Sequence, residues 1–130
     1  MAHLDPLQLP DHRRNSQLVE PVLLLLLLER EGAYGYELQE AIQELSLTGT
    51  PVDRTVMYRS LRWLEKRGQV ASQWDVSGDG APRRRYRLTD HGIKSLTLWA
   101  DLLKRRRGSL DAYLERYRKV ISRVRRSRRI

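Results

Sequence analysis

The stretch 53-DRTVMYRSLRWLEKRGQVASQWDVSGDGAPRRRYRLTDHG-92 combines one helical period, one strand period and one run of arginines. Met57, Leu61 and Leu64 recur at i, i+4 and i+7, the spacing of the buried side of an amphipathic helix. Thr55, Tyr58, Arg59, Arg62 and Lys66 then fall on the outer side, joined at its start by Arg54. That outward set is short of acids, rich in planar and cationic donors, and carries an aromatic hydroxyl. This is the chemistry needed to enter a DNA major groove. A solvated surface helix more often alternates its charge signs.

Beyond the helix, Val70, Ser72, Trp74 and Val76 alternate with Ala71, Gln73 and Asp75, the period of a half-buried strand. Ser77 to Pro82 supplies a turn. The return strand places Arg83, Arg84, Arg85 and Arg87 around Tyr86 and Leu88, so apolar residues can face the helix while guanidinium groups line the tip and outer face. A reading helix followed by a basic hairpin is the pattern of a winged helix, in which the helix meets base edges and the wing touches phosphates or the minor groove. The expected DNA contacts are therefore Arg54, Thr55, Tyr58, Arg59, Arg62 and Lys66 on the helix and Arg83, Arg84 and Arg85 on the wing. Arg59 and Arg62 are expected on base edges, and Thr55, Tyr58 and Lys66 mostly on phosphates.

Working upstream, Leu38, Ala41, Ile42 and Leu45 form the stripe of a second helix after Gly32-Ala33-Tyr34-Gly35. Ser46 to Pro51 reads as a turn, and Asp53 suits the cap of the helix that follows. Glu29, Glu31, Glu37, Glu40 and Glu44 make an acidic, solvated face. The run Leu23 to Leu28, with Arg13 and Arg14 before it, imitates the hydrophobic region of a signal peptide. It stops at Glu29-Arg30-Glu31 without a small-residue cleavage site, and it is far short of the roughly 20 apolar residues that span a bilayer. A buried first helix is the better reading, with Pro21 in its first turn and Gly32 as its stop.

Downstream, Thr89 is a natural N-cap. After it Ile93, Leu96, Ala100, Leu103, Leu110, Leu114, Tyr117, Ile121 and Val124 follow at spacings of three and four, with Arg107 counted in register. Such a seam over more than four heptads argues for a long helix paired with another helix. Homodimerisation is the economical inference, with Ile93, Leu96, Ala100, Leu103, Leu110, Leu114 and Tyr117 at the interface. A two-fold dimer presents two reading helices to a palindromic operator whose half-sites lie about 34 to 36 Å apart. Arg107, beside Gly108, either fixes register, bends the helix or meets an acidic partner. The basic end from Arg123 either adds phosphate contacts or frays.

The fold class expected is mainly α with a small β-hairpin, a winged helix-turn-helix domain plus a long C-terminal dimerisation helix. Its parts are a flexible arm over 1–17, the winged helix-turn-helix over 18–88, the dimerisation helix over 89–122 and a basic tail over 123–130.

The chain has 130 residues, no cysteine and a formal net charge of +9. Residues 104–130 hold twelve Lys/Arg against Asp111 and Glu115, a local +10, while residues 1–103 are close to neutral at −1. Positive charge in the folded part is thus concentrated on the reading helix and wing, a polarity that can orient a protein on a polyanion. Without cysteine there is no disulfide framework and no thiolate metal site. His3, His12 and His91 are scattered, and no Ser/His/Asp set, carboxylate pair or metal-ligand spacing can be assembled. Gly78 and Gly80 lack a third glycine and sit in a hairpin, so they do not form a phosphate loop. The expectation is a non-enzymatic, cytoplasmic protein with no cofactor, no metal and no membrane partner. Two rivals to DNA binding are a protein-docking winged helix, which would show exposed aliphatics where Arg59, Arg62 and Lys66 stand, and RNA binding, for which an aromatic stacking platform is missing.

Leu23 to Glu29, then Gly35-Tyr36-Glu37-Leu38, Val56-Met57-Tyr58-Arg59-Ser60-Leu61-Arg62-Trp63-Leu64-Glu65, Ser72-Gln73-Trp74-Asp75 and Pro82-Arg83-Arg84-Arg85-Tyr86-Arg87-Leu88-Thr89-Asp90-His91-Gly92 together resemble the PadR family of bacterial transcriptional regulators. The resemblance runs from about Val19 to Tyr117. It departs from the family where a Gly or Ser then Thr commonly precedes the aliphatic-Tyr pair, since this chain has Thr55-Val56-Met57-Tyr58. The resemblance implies a dimeric repressor in which the C-terminal helix of each subunit packs on its partner. Trp74 to Gly78, Leu98 to Asp101 and Asp111 to Tyr113 are most similar to members described as poly-β-hydroxybutyrate-responsive repressors. Other members respond to phenolic acids or flat hydrophobic drugs, so the resemblance also implies a small hydrophobic or aromatic effector stacking on Trp63 or Trp99. The plainer reading makes both tryptophans interface or core residues.

Overall fold

The computed structural model describes residues 18–47 and 49–128. The arm expected over 1–17 and the last two residues of the basic tail lie outside them. The chain divides into two compact units, one through Thr97 and one from Leu98.

The first unit runs α1 (Val19–Glu29), β1 (Ala33–Tyr34), α2 (Gly35–Glu44), α3 (Arg54–Lys66), β2 (Val70–Asp75) and β3 (Arg83–Leu88), followed by the start of α4 (Asp90–Ser127). The leucine run of α1 is a core helix. Leu23, Leu24, Leu26 and Leu27 are buried, and Leu25 and Leu28 alone of the run are exposed. They pack with Leu38, Ala41 and Ile42 of α2 and Met57, Leu61 and Leu64 of α3, the same apolar positions that the helical period picks out. Leu45 differs from expectation: α2 ends at Glu44, and Leu45 is exposed.

The hairpin is part of a three-stranded antiparallel sheet of order β1-β3-β2. Sequence reading missed β1, which pairs Ala33 with Tyr86 and Tyr34 with Arg85. Val70 of β2 and Tyr86 of β3 are buried, while Trp74 of β2 and Val76 just beyond its end are exposed. The alternation expected along β2 therefore buries side chains only at the base of the hairpin, because the helices cover no more than that.

Local chemistry sets the joints. Asp53 caps α3, its Oδ1 accepting from the Thr55 N–H at 3.2 Å. At the other end Gly68, at φ 77°, donates from its N–H to the Glu65 carbonyl, and the Gln69 N–H bonds the Leu64 carbonyl. These bonds satisfy carbonyls that the last helical turn leaves open, and the left-handed residue that makes them is a glycine. Thr89 then joins two elements: its Oγ1 donates to the Gly68 carbonyl at 2.7 Å and accepts from the Gly92 N–H at 3.0 Å. Gly92 lies so close to this turn that a Cβ there would collide with the Gln69 carbonyl oxygen. The spacing Leu88-Thr89-x-x-Gly92 is thus a joint between the turn after α3 and the start of α4.

The second unit is the remainder of α4. The helix continues without a break through Arg107 and Gly108 and ends at Ser127, so Arg123, Arg125 and Arg126 are helical. Leu98, Leu110, Tyr113, Leu114, Tyr117, Val120 and Val124 are exposed on it. Among the described residues no helix is long and apolar enough to cross a membrane, and no group of His, Cys, Asp and Glu could hold a metal ion.

Candidate nucleic-acid interface

One turn of helix takes 3.6 residues, so Thr55, Arg59, Arg62 and Lys66 form a single stripe opposite Met57, Leu61 and Leu64. All four are exposed. Arg54 is exposed in the first turn. Among the described residues neither Arg59 nor Arg62 is tied to a carboxylate. The stripe therefore presents two uncommitted guanidinium forks, an ammonium group and a hydroxyl along about three turns.

Tyr58 departs from the outward set. It is half-buried on the flank of α3, and its ring end presses on Gly35 at the start of α2, where a Cβ would overlap the Tyr58 hydroxyl. It packs α3 against α2 instead of standing on the open stripe. Trp63, on the other flank, is 52% exposed with the Lys66 ammonium 5.3 Å from its ring centre. Arg67, next to it, pairs with Glu20 of α1 at 2.5 Å. Trp99 is half-buried on α4.

The turn that aims α3 is held by residues that carry no signal in the sequence. The Gln43 side chain accepts from the Val52 N–H at 3.0 Å and donates to the Val52 carbonyl at 2.8 Å. Gln39 donates to the same carbonyl at 3.1 Å. Two glutamine side chains on α2 thus grip the backbone just before the Asp53 cap. Glu37, expected on a solvated acidic face, instead accepts from the Tyr34 N–H at 2.8 Å and closes the first turn of α2.

The wing splits its arginines. Cross-strand pairing sets Trp74 opposite Arg84 on one face of the sheet, and Gln73 opposite Arg85 and Asp75 opposite Arg83 on the other. The Arg83 guanidinium lies 4.3 Å from the centre of the Tyr34 ring, which stacks on Tyr36 with centroids 5.8 Å apart. The Arg85 guanidinium fills the space over Gly32, where a Cβ would lie 2.7 Å from its Cζ. The three arginines expected to act together on the tip therefore have three different surroundings.

A short polar cluster secures the turn end of β2. Asp75 accepts from the Ser77 hydroxyl at 2.6 Å, from the Ser77 N–H at 2.9 Å and from the Tyr34 hydroxyl. The Ser77 hydroxyl first, and the Tyr34 hydroxyl next, hold the Asp75 carboxyl well below the usual carboxylate range. The same bond to Asp75 pushes the Tyr34 phenol up. Burial does the same for Tyr86.

Two helices, a third helix with an open cationic stripe and a basic antiparallel wing define a winged helix-turn-helix protein. Residues 23–98 match the transcriptional regulator PadR-like family, and the chain belongs to that family, whose members are regulators rather than enzymes. It is similar to a PadR family transcriptional regulator from Eggerthella lenta, with 33% identity, a TM-score of 0.61, and coverage of 72% of this chain and 81% of the other. It is also similar to a candidate transcriptional regulator from Thermoplasma acidophilum, at 30% identity and TM-score 0.66 over 79% of this chain and 96% of that one. The Bacillus subtilis PadR, solved in complex with operator DNA, shares the fold at 21% identity and TM-score 0.57, over 65% of this chain and 47% of its own.

Proposed function

We propose that this regulator binds double-stranded DNA as a homodimer on a palindromic operator and acts as a repressor, with release by a small hydrophobic or aromatic effector. The observation that carries the reading is the acid-free stripe Thr55, Arg59, Arg62 and Lys66, exposed on the helix whose opposite side is locked into the core. A guanidinium can donate two parallel bonds to guanine O6 and N7, whereas an ammonium or hydroxyl bonds a phosphate well without reading sequence. Arg59 and Arg62 are accordingly the base readers. Thr55, Lys66 and Arg54 hold backbone, and the wing adds a contact beside the groove. Tyr58 supports the stripe from its flank by packing on Gly35.

Support for dimerisation comes from α4. Leu110 is 56% and Leu114 52% exposed in the single chain, together with Tyr117, Val120 and Val124 at spacings of three and four. An apolar seam of that length is the pattern of a helix that pairs with another. Support for DNA as the polyanion comes from the similar fold solved with operator DNA. The proposed effector would meet aromatic surface at Trp63 or Trp99.

The test is selection of duplexes from a random pool, followed by fluorescence anisotropy of the recovered duplex and a scrambled version at two salt concentrations. The expected result is an enriched inverted repeat that keeps its advantage over the scramble at the higher salt. Recovery of no consensus, with weak binding that disappears equally on both duplexes as salt rises, would leave only nonspecific attraction to a basic chain.

A further inference from the structure

Arg84 is the wing arginine that the fold keeps on the side of the reading helix. Ser72 opposes Tyr86, and Trp74 opposes Arg84. Opposed residues of an antiparallel pair project to the same face, as do residues two apart on a strand. That face is the one turned to α3, since Tyr86 on it is buried and the Ser72 hydroxyl donates to the Glu65 carboxylate of α3 at 2.5 Å. The Arg84 Nε donates to the same Ser72 oxygen at 2.9 Å, and its Cζ lies 5.1 Å from the Trp74 ring centre. A chain of bonds thus runs from the reading helix through Ser72 to one guanidinium, which rests on an indole that is 60% exposed.

The arrangement fixes a fork. With Nε committed to Ser72 and Cζ over the Trp74 ring, the guanidinium keeps its two Nη groups to donate side by side, the geometry that matches two oxygens of a phosphate. Immobilising a long side chain beforehand removes part of its ordering cost from binding. Arg83 and Arg85 leave the sheet on the opposite face: Arg83 is held over Tyr34 and spends one Nη on the Tyr36 hydroxyl at 3.4 Å, so its fork is not free, and Arg85 lies over Gly32.

We propose that Trp74 and Arg84 are the wing's DNA contact, the Arg84 fork bonding a phosphate beside the groove entered by α3, and that Ser72 and Glu65 are positioning residues that hold Arg84 there. The assignment rests on the DNA-binding reading above, and it divides an arginine run that looks uniform in sequence.

The test uses the full chain and the duplex recovered by selection, with anisotropy measured over a salt series. Arg84→Gln lowers affinity on the order of tenfold and reduces the slope of log affinity against log salt by about one unit, the signature of a lost phosphate contact. Arg83→Gln and Arg85→Gln change affinity by no more than about twofold. Ser72→Ala reproduces part of the Arg84→Gln loss, Ser72→Thr restores it, and Ser72→Ala has no further effect once Arg84 is Gln. A merely structural serine would weaken both backgrounds alike. In a Trp63→Phe, Trp99→Phe background, Trp74 emission changes when duplex is added. Equal losses at Arg83, Arg84 and Arg85, additive effects of Ser72 and Arg84, or unchanged Trp74 emission would each overturn the assignment. If the wild-type chain prefers no sequence, the DNA-binding reading falls and takes this one with it. If the wild type is specific and Arg59→Ala weakens it while Arg84→Gln does not, the wing assignment alone falls.

Discussion

Arg83, Arg84 and Arg85 are neighbours in the chain, yet one rests on stacked tyrosines, one bonds a serine that touches the reading helix, and one covers a glycine. Their type was legible in the sequence, but their surroundings were not, because strand alternation assigns faces only once the pairing register with β1 and β2 is known. The same holds for Tyr58, whose hydroxyl suggested an outward role until its contact with Gly35 placed it on the flank. Gln39 and Gln43 carried no signal at all, since a glutamine that clamps a backbone looks like any solvated one. Asp75 offers a direct check of the turn end of the wing. Its folded pKa is depressed, so its bonds stabilise the native wing at any pH above the ordinary aspartate value of about 3.9, and that contribution is lost as pH falls through the lower folded value. Tyr34→Phe removes the second of the causes and leaves Ser77. Carboxyl carbon NMR titration should then show the Asp75 midpoint moved up, though still below the ordinary value. An unmoved midpoint would mean that the Tyr34 hydroxyl does not bond Asp75 in solution.

The elements fixed by a long, regular period were legible: α1 as an internal leucine helix, α3 with its buried Met57, Leu61 and Leu64, and the paired strands β2 and β3. The two-residue β1 was not, because nothing local distinguishes Ala33-Tyr34 from a turn and its pairing with β3 is a tertiary event. Trp74 and Val76 continue the strand alternation past the last helix able to cover them, which is why their exposure had no counterpart in the pattern. The joint between α3 and α4 can be probed through Gly92. Alanine usually improves a helix position by about 1 kcal/mol over glycine, but here its methyl meets the Gln69 carbonyl, and overpacking against backbone costs about 1–3 kcal/mol. Gly92→Ala should therefore lower the urea midpoint of the first unit without changing the slope. A midpoint that rises would show that the turn after α3 yields easily.

For the molecule as a whole, the division of labour is between a head that presents cations on one open stripe and a helix whose apolar seam is uncovered in the single chain. Leu110→Glu with Leu114→Glu should convert a particle of twice 15.3 kDa to one of 15.3 kDa by light scattering, since each leucine buried in a pair contributes about 1.5–3 kcal/mol. A wild-type chain that scatters as a monomer at micromolar concentration would remove the two-fold operator from the proposal. The central claim, that the outer stripe of α3 reads sequence, is tested most directly by titrating the Arg59→Ala, Arg62→Ala double variant against the selected duplex and its scramble at two salt concentrations. Each lost base contact should cost on the order of 1–3 kcal/mol, so the variant is predicted to bind both duplexes equally, with a residual salt-sensitive affinity from Lys66, Arg54 and the wing. A double variant that still prefers the selected duplex by the wild-type margin would contradict it.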